Sequence, residues 1–499
     1  MWTGRSRVCP CSLLADHPWS DPGIEVRYGN TLDLPSGNVV SYARGLLLKV
    51  GGINHRKLNR VTEKEPKKVH LVSLGCPKNT VDSERMLGLL QGNAYQMTEA
   101  AEEADVVVVN TCGFIGPAKE ESIEAIMDAH RLKEEGKCKG VVVTGCLSTR
   151  YYEELKQELV EADKLLTIDD EVDIVRHVDE VLGVERPEYL SSLPRMSLTP
   201  KHWSYLRISD GCDHQCAFCA IPSIRGRHKS ESVEQLVEEA ERLAAGGVRE
   251  LVLVSQDSVR YGADLYGRPQ LVRLLEALAG VEGIEWMRLM YTYPAFWTEA
   301  MIDFYASCEK MCNYIDMPLQ HIADPVLKRM KRATTHKKTV DLLTRLRERL
   351  PGVGLRSTFI LGFPGETDED FDELLAFVEE TRFDHVSGFL YSPEEGTSAF
   401  VLGDDVDASV KEARYSQLTQ LHERIATEKN DALIGTRQTV LVDYRDDEVY
   451  YARMERDAPE IDGQVVIDEG EAEVGSFIEV EITDATPYDL NGRVVGKPR

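Results

Sequence analysis

Three cysteines with a C-x3-C-x2-C spacing could together hold an iron-sulfur cluster. These loop cysteines are Cys212, Cys216 and Cys219, and they follow the strand-like segment 205–209. A [4Fe-4S] cluster has four irons, so three thiolate ligands leave one iron open to another ligand. Zinc is the alternative, but a structural zinc ion usually takes four ligands, often as two separated pairs. The spacing therefore favours an iron-sulfur site over zinc or inert thiols.

A second set of three cysteines is spread along the chain. These sheet-edge cysteines are Cys76, Cys112 and Cys146, and each follows an apolar run and precedes helical sequence. Such runs are typical of strands buried on both faces of a parallel sheet. Because the crossovers are right-handed, the carboxyl ends of parallel strands meet at one edge of a sheet. We therefore expect the three thiols to meet and to bind a second cluster with an open iron. The alternative is that they are buried structural cysteines.

The order of strand-like and helix-like segments around these cysteines predicts an α/β protein with three parts. The strand and helix pattern predicts an α/β domain with a parallel sheet over residues 67–187 and a linker over 188–200. A partial β/α barrel is expected over 201–430, where Thr367 and Asp370 resemble a capping box. Short alternating strands predict a small antiparallel β-barrel over 431–499, with Asn491-Gly492 as a hairpin turn. Residues 1–66 show little periodicity and form a poorly defined N-terminal extension without an assigned function.

Length and composition limit the class of protein. A chain of 499 residues suggests about three domains. It contains no run of the roughly 20 apolar residues that would cross a bilayer and no signal-peptide core, so we predict a cytoplasmic protein with no membrane partner. The eleven cysteines are then expected to be thiols or metal ligands rather than disulfides. A net charge of −27 argues against a general nucleic-acid-binding surface and suits a basic protein partner, although acidity also serves solubility.

The motifs around both sets of cysteines resemble the methylthiotransferases, a family of radical S-adenosylmethionine (SAM) enzymes. The resemblance covers about residues 67–499 and includes a TRAM-like terminal barrel, the loop cysteines and three segments: Leu74-Gly75-Cys76-Pro77-Lys78-Asn79, Asn110-Thr111-Cys112 and Gly145-Cys146. Segments 76–84 and 391–397 look most like the branch that methylthiolates the β-carbon of an aspartate in small-subunit ribosomal protein S-twelve. A sister branch modifies an adenosine in tRNA. From Leu433 onward the chain has seven Lys/Arg against sixteen Asp/Glu, which favours a basic protein over tRNA as the substrate.

The resemblance also implies cofactors and partners. A C–H bond at an unactivated carbon has no acidic proton, and a radical can open it. The implied cofactors are two [4Fe-4S] clusters and SAM, which serves as both the methyl donor and the radical source. The loop cysteines would hold the cluster that reduces SAM, and the sheet-edge cysteines would hold the cluster that carries the sulfur. The implied partners are the ribosomal protein, free or in the small subunit, and an electron donor such as flavodoxin or ferredoxin.

Contacts to SAM are expected at Phe218, Gln256 and Arg356. Each of these residues could equally pack in or stabilise the barrel. His321 lies in a segment that matches the family, but a lone histidine is more often structural. We predict no catalytic residue beyond the cluster cysteines. Two rival functions remain: methylthiolation of tRNA, and a non-catalytic iron-sulfur module that docks on the ribosome and does not cleave SAM.

Overall fold

The computed structural model describes residues 66–496. The predicted N-terminal extension, apart from Pro66, lies outside these residues. Within the described range, no helix is both long enough and apolar enough to span a bilayer.

The first part of the described chain is a five-stranded parallel sheet flanked by helices. The strand order is β2-β1-β3-β4-β5, and every pairing is parallel. The two runs of valine at its centre are buried along their whole length, as the sequence predicts. The strands are β1 (Lys68–Ser73), β2 (Gln96–Met97), β3 (Val106–Thr111), β4 (Gly140–Gly145) and β5 (Lys164–Leu165), and the helices are α1 (Pro77–Gly92), α2 (Gly116–Glu134), α3 (Cys146–Arg150), α4 (Tyr152–Glu158) and α5 (Ile174–Leu182).

The central part is a β/α barrel that does not close. Two three-stranded parallel sheets, β10-β9-β6 and β11-β12-β13, are joined by a single bridge between Met287 and Met311. This confirms the predicted partial barrel. Its strands are β6 (Trp203–Arg207), β9 (Glu250–Val254), β10 (Trp286–Leu289), β11 (Tyr314–Asp316), β12 (Gly354–Leu361) and β13 (His385–Leu390), and a separate antiparallel pair is formed by β7 (Ser209–Asp210) and β8 (Lys229–Ser230).

Helices cover the outside of the central barrel. The predicted capping box is confirmed: the Thr367 side chain accepts a hydrogen bond from the Asp370 backbone N–H, and the Asp370 carboxylate accepts one from the Thr367 N–H. The helices are α6 (Ile221–Ile224), α7 (Val233–Ala245), α8 (Ala263–Tyr266), α9 (Leu271–Ala279), α10 (Glu299–Ser307), α11 (Asp324–Arg329), α12 (His336–Arg349), α13 (Asp368–Thr381) and α14 (Ala408–Asp431).

The last part is a closed five-stranded barrel with the order β14-β15-β16-β18-β17. Its pairings are antiparallel except for β16 with β18, which is parallel. The hairpin predicted at Asn491-Gly492 is wrong, because both residues lie inside β18 and the chain turns earlier, where Thr486 N donates to Asp489 O at 2.8 Å. The strands are β14 (Arg437–Asp446), β15 (Val449–Met454), β16 (Val465–Glu469), β17 (Phe477–Ala485) and β18 (Leu490–Val494).

The terminal barrel packs against the amino-terminal ends of the central strands. Phe477 meets Trp286 edge to face, with ring centroids 4.7 Å apart. Beside them the buried Glu250 carboxylate accepts from Arg288 at 2.9 Å and from Arg453 of the terminal barrel at 2.7 Å. The opposite, carboxyl-terminal ends of the strands are where sites form in β/α barrels.

Candidate active site

The loop cysteines follow directly from the end of the first barrel strand. After β6 and the short β7, Gly211 adopts φ +71°, and a Cβ there would lie 2.2 Å from the carbonyl oxygen of Arg227. Only glycine fits this close approach. The turn leads into Cys212, and a backbone hydrogen bond of 3.1 Å from Cys219 N to Cys216 O tightens the loop. The three thiols are therefore displayed from one compact loop.

Two of the loop cysteines, Cys212 and Cys219, resist ionisation because they are buried. Burial raises the pKa of Cys212 to about 11 and that of Cys219 to about 12, and the Cys216 thiol contributes to both shifts. The Cys216 thiol is therefore within electrostatic range of the other two. An iron cluster stabilises such thiols as thiolates, because its positive irons replace the missing solvation. The donor set therefore fits an iron-sulfur cluster.

The sheet-edge cysteines leave three neighbouring strands, β1, β3 and β4. Cys76 caps the start of α1, Cys112 follows β3, and Cys146 is the first residue of α3 after β4. Gly75 adopts φ +88°, and a Cβ there would lie only 2.9 Å from the Cys112 sulfur. The strand-end loops thus touch one another, and the structure brings these distant cysteines to one edge, as the sequence predicts.

The sheet-edge thiols influence one another in the same way. Burial raises the pKa of Cys112, and the Cys76 and Cys146 thiols raise it further. Burial also raises the pKa of Cys146 to about 12, although the Arg225 guanidinium opposes this shift. Residues 66–496 contain no group of three or more His, Cys, Asp or Glu arranged to bind a single metal ion. A cubane cluster offers a different iron to each cysteine, so its ligands need not converge on one point.

A buried arginine connects the two sets of cysteines. Arg225, whose side chain is 1% exposed, donates from Nη2 to the Cys146 sulfur at 3.5 Å and to Asp82 at 2.9 Å. Its Nη1 donates to Asp210 at 3.0 Å, just ahead of the loop cysteines, and Gln256 donates to the other oxygen of Asp210 at 2.7 Å. This network fixes the edge of the first sheet against the mouth of the central barrel.

The three expected SAM contacts lie in different surroundings. The ring of Phe218 meets Phe363 edge to face at 6.5 Å. Gln256 has a buried Oε1 with no hydrogen-bond partner within the described residues, which leaves an acceptor for a ligand. Arg356 donates to Asp462 of the terminal barrel at 2.7 Å, a contact that favours its structural interpretation. All three assignments stay predictions.

Sequence reasoning missed two polar links near the cysteines. Arg332 donates to the Cys216 sulfur at 3.6 Å, so each set of cysteines has one arginine beside it. Glu394 accepts from Lys119 and from Arg150, both at 2.9 Å, and so joins the central barrel to the first part. Glu394 lies in the family-like segment 391–397, which was a usable signal, whereas the spacing around Arg332 gave none.

The remaining cysteines of residues 66–496 and His321 show structural surroundings. Cys138, Cys308 and Cys312 are free thiols outside both sets, and Cys308 and Cys312 do not share a helix because α10 ends at Ser307. His321 Nδ1 accepts from the Ala323 backbone at 3.1 Å, and burial lowers its pKa to about 3. A neutral, buried imidazole of this kind is typical of a structural histidine.

Comparison with known proteins divides the chain in the same way. The model of the radical SAM superfamily matches residues 206–378, and that of the TRAM domain matches 434–495. The model of an uncharacterized protein family, UPF0004, matches 68–167, the stretch that carries the sheet-edge cysteines.

Curated relatives match nearly their whole length. The ribosomal protein uS12 methylthiotransferase RimO of Geobacter sulfurreducens is 44% identical over 442 residues, which cover 86% of this chain and 98% of the relative. The RimO protein of Anaeromyxobacter sp. (strain Fw109-5) is 46% identical over 439 residues, covering 86% of this chain and 93% of the relative. Fold, cysteines and matches together define a radical SAM methylthiotransferase. Within this class, the chain belongs to the RimO family.

Proposed function

We propose that the protein inserts a methylthio group at the β-carbon of an aspartate in ribosomal protein uS12. The observation that carries this proposal is the pair of cysteine sets, which Arg225 joins across the mouth of the barrel. The near-complete coverage of RimO relatives supports it. Two [4Fe-4S] clusters and SAM supply, when bound, a radical that can take hydrogen from an unactivated carbon and the sulfur and methyl group that replace it.

The residues of this chain hold, orient and shield these groups. The loop cysteines hold one cluster at the end of β6, and the sheet-edge cysteines hold the other where β1, β3 and β4 end. Arg225 keeps the two sites in a fixed relation, because its guanidinium is bound on both sides of the boundary. Glu394 reinforces this boundary through Lys119 and Arg150. A boundary held together by these contacts keeps water away from a reactive carbon.

The charge of the terminal barrel supports a protein substrate over tRNA. This barrel carries an excess of acidic residues, with sixteen Asp/Glu against seven Lys/Arg from Leu433 onward. A phosphate backbone would be repelled by such a surface, whereas a basic ribosomal protein would be attracted.

A basic segment beside the loop cysteines supports docking of an acidic electron donor of the flavodoxin or ferredoxin class. Residues 324–349 contain nine Lys/Arg against three Asp/Glu in a chain of net charge −27. The segment adjoins the cysteine loop, because Ala217 N donates to Met330 O at 2.9 Å and Arg332 contacts Cys216. Lys331 and Lys338 are exposed and form no ion pair with other residues of the described range. An electron delivered here enters next to the cluster that must be reduced.

We also propose cytoplasmic location and domain limits of 67–187, 201–430 and 431–499, joined by a linker over 188–200. The matched ranges of the three family models fall inside these limits and support them.

Mass spectrometry of a peptide product tests the function. The enzyme is reconstituted without oxygen, reduced, and supplied with SAM and sulfide. It is then offered either an aspartate-containing loop peptide of uS12 or a tRNA anticodon stem-loop. We expect a methylthio mass gain on the aspartate of the peptide and none on the RNA. A gain on the RNA alone would assign the function to the tRNA branch, and SAM cleavage without either product would contradict both assignments.

A further inference from the structure

A buried lysine beside the sheet-edge cysteines forms no ion pair within the described residues, and only the Asp316 carboxylate acts on it from a greater distance. Lys78 is 7% exposed and is the second residue of α1, two positions after Cys76. Its ammonium nitrogen lies 3.5 Å from the centre of the Tyr291 ring. Within residues 66–496 this nitrogen takes part in no ion pair and no hydrogen bond.

Three physical effects make this placement unfavourable when no ligand is bound. Burial removes the solvation of the ammonium group. The amino-terminal end of a helix carries partial positive charge, which repels a cation in the first turn. The ring of Tyr291 offers a cation–π contact and Asp316 a Coulombic attraction without a hydrogen bond, and both are weaker than direct pairing with a carboxylate. An anion at this position would remove all three costs.

The surroundings of Lys78 are organised to hold this arrangement. Tyr291 has φ +59°, a backbone conformation that non-glycine residues adopt at a cost and that concentrates at functional sites. Its backbone N–H donates to Asp316 at 2.8 Å, which holds the residue in place at the end of β10. Pro77, Tyr291 and Asp316 line a cavity of about 40 Å³ inside the central barrel, which residues 458, 459 and 461 of the terminal part also line. Lys78 thus lies where the first part of the chain meets this cavity.

We propose that Lys78 binds the side-chain carboxylate of the substrate aspartate. This inference rests on the proposed function and names the residue that recognises the substrate. The β-carbon of aspartate is bonded directly to the carboxylate carbon, so a grip on the carboxylate also fixes the reacting carbon. Lys78 is therefore a specificity-determining residue, because it favours a substrate with a carboxylate over one with a neutral amide or a nucleobase.

The methionine carboxylate of SAM is a second source of the same chemistry. The position of Lys78 favours the substrate, because the residue follows Cys76 and so belongs to the side of the site that carries the sheet-edge cysteines. SAM is expected at the loop cysteines, where the other cluster has its open iron. Measurements of peptide binding and of SAM binding separate the two sources.

The experiment is a double-mutant cycle between enzyme and peptide. Wild type and Lys78→Met are each titrated, without turnover, with the aspartate peptide of uS12 and with the same peptide carrying asparagine. We expect Lys78→Met to bind the aspartate peptide about ten- to a hundredfold more weakly, since a charge-assisted hydrogen bond is lost, and to bind the asparagine peptide as wild type does. Lys78→Arg, which keeps the charge, should recover part of the preference.

A matched control is Lys156→Met, because Lys156 also lies near a tyrosine ring, 5.6 Å from that of Tyr152, but is exposed. It should bind both peptides like wild type. Equal loss of both peptides in Lys78→Met would show a structural role and overturn the inference, as would unchanged binding. Weaker SAM binding with normal peptide binding would assign the carboxylate to SAM and also overturn it. Formation of the methylthio peptide by wild type checks the proposed function separately, whatever Lys78→Met does.

Discussion

The loop cysteines come from one short stretch of sequence, whereas the sheet-edge cysteines come from the ends of three strands. In the loop, the short spacing of the cysteines and the turn at Gly211 set the arrangement of the three thiols. At the sheet edge, the order β1-β3-β4 sets the geometry, so the site exists only when the whole sheet has folded. Similar sets of thiols can therefore differ in how much of the fold each requires.

Loss of single cysteines should separate the two sites most strongly. Cys216→Ala should abolish both SAM cleavage and methylthio transfer, because the radical is generated at the loop cysteines. Cys112→Ala should keep SAM cleavage and abolish transfer. Chromatography of the cleaved nucleoside, with mass spectrometry of the peptide, measures both steps. Full methylthio product from Cys112→Ala would break the assignment of separate roles.

Replacing the arginine between the two sites should chiefly lower stability. Arg225→Met removes the guanidinium that Asp82 and Asp210 share and leaves Arg207 as their remaining cation, and we expect the free energy of unfolding to fall by about 2 kcal/mol. Chemical denaturation followed by circular dichroism measures this change.

The control for Arg225 is the nearby Arg227→Met. The Arg227 side chain is 91% exposed and pairs with Asp213 at 3.3 Å, so its loss should change stability by less than about 0.5 kcal/mol. Equal effects of the two substitutions would contradict a special role for Arg225.

Charge reversal in the basic segment should slow only the supply of electrons to the loop cysteines. Lys331→Glu with Lys338→Glu should reduce flavodoxin-driven SAM cleavage about tenfold at low salt, because the attraction for an acidic carrier is lost. Dithionite, which needs no docking surface, should restore the wild-type rate. Lys137→Glu, an exposed change on the first part of the chain, serves as the control. If the double variant bound ribosomal RNA more weakly but accepted electrons normally, the segment would have a different partner.

The smallest effect is expected at a histidine remote from both sites. Burial lowers the pKa of His422 in α14 from its ordinary 6.5 to about 4. The unfolded chain therefore binds the proton first, and stability present above pH 6.5 is lost as the pH falls toward 4. We expect a loss of about 1 kcal/mol between pH 6.5 and 5.5, which His422→Gln should remove. Denaturation curves at the two pH values check this, and an unchanged slope in the variant would contradict it.

The sequence predicts the fold and the meeting of the cysteines for identifiable reasons. Buried valine runs specify parallel strands, and the carboxyl ends of neighbouring parallel strands share an edge. These rules depend on backbone topology and not on side-chain contacts, so the sequence alone predicts that Cys112 and Cys146 lie beside each other. The prediction of a turn at Asn491-Gly492 was wrong, because strand pairing in the closed barrel outweighed the local preference of this dipeptide for a turn.

The network around Arg225 could not be predicted from the sequence. Its partners Asp82 and Cys146 lie in helices of the first part of the chain, and no spacing pattern relates them to Arg225. The same holds for Lys78, since the absence of an ion pair within the described residues is visible only when its surroundings are known. Contacts between separately folded parts depend on how these parts pack, and local sequence patterns do not encode that packing.

The iron content of single-set variants tests the central claim most directly. In anaerobically reconstituted protein, wild type should hold about eight irons per chain, and Mössbauer spectra should show two [4Fe-4S] clusters. Replacing all three loop cysteines with alanine should leave about four irons, and so should replacing all three sheet-edge cysteines. About four irons in wild type, or loss of all iron from either variant while the fold is kept, would contradict two independently held clusters.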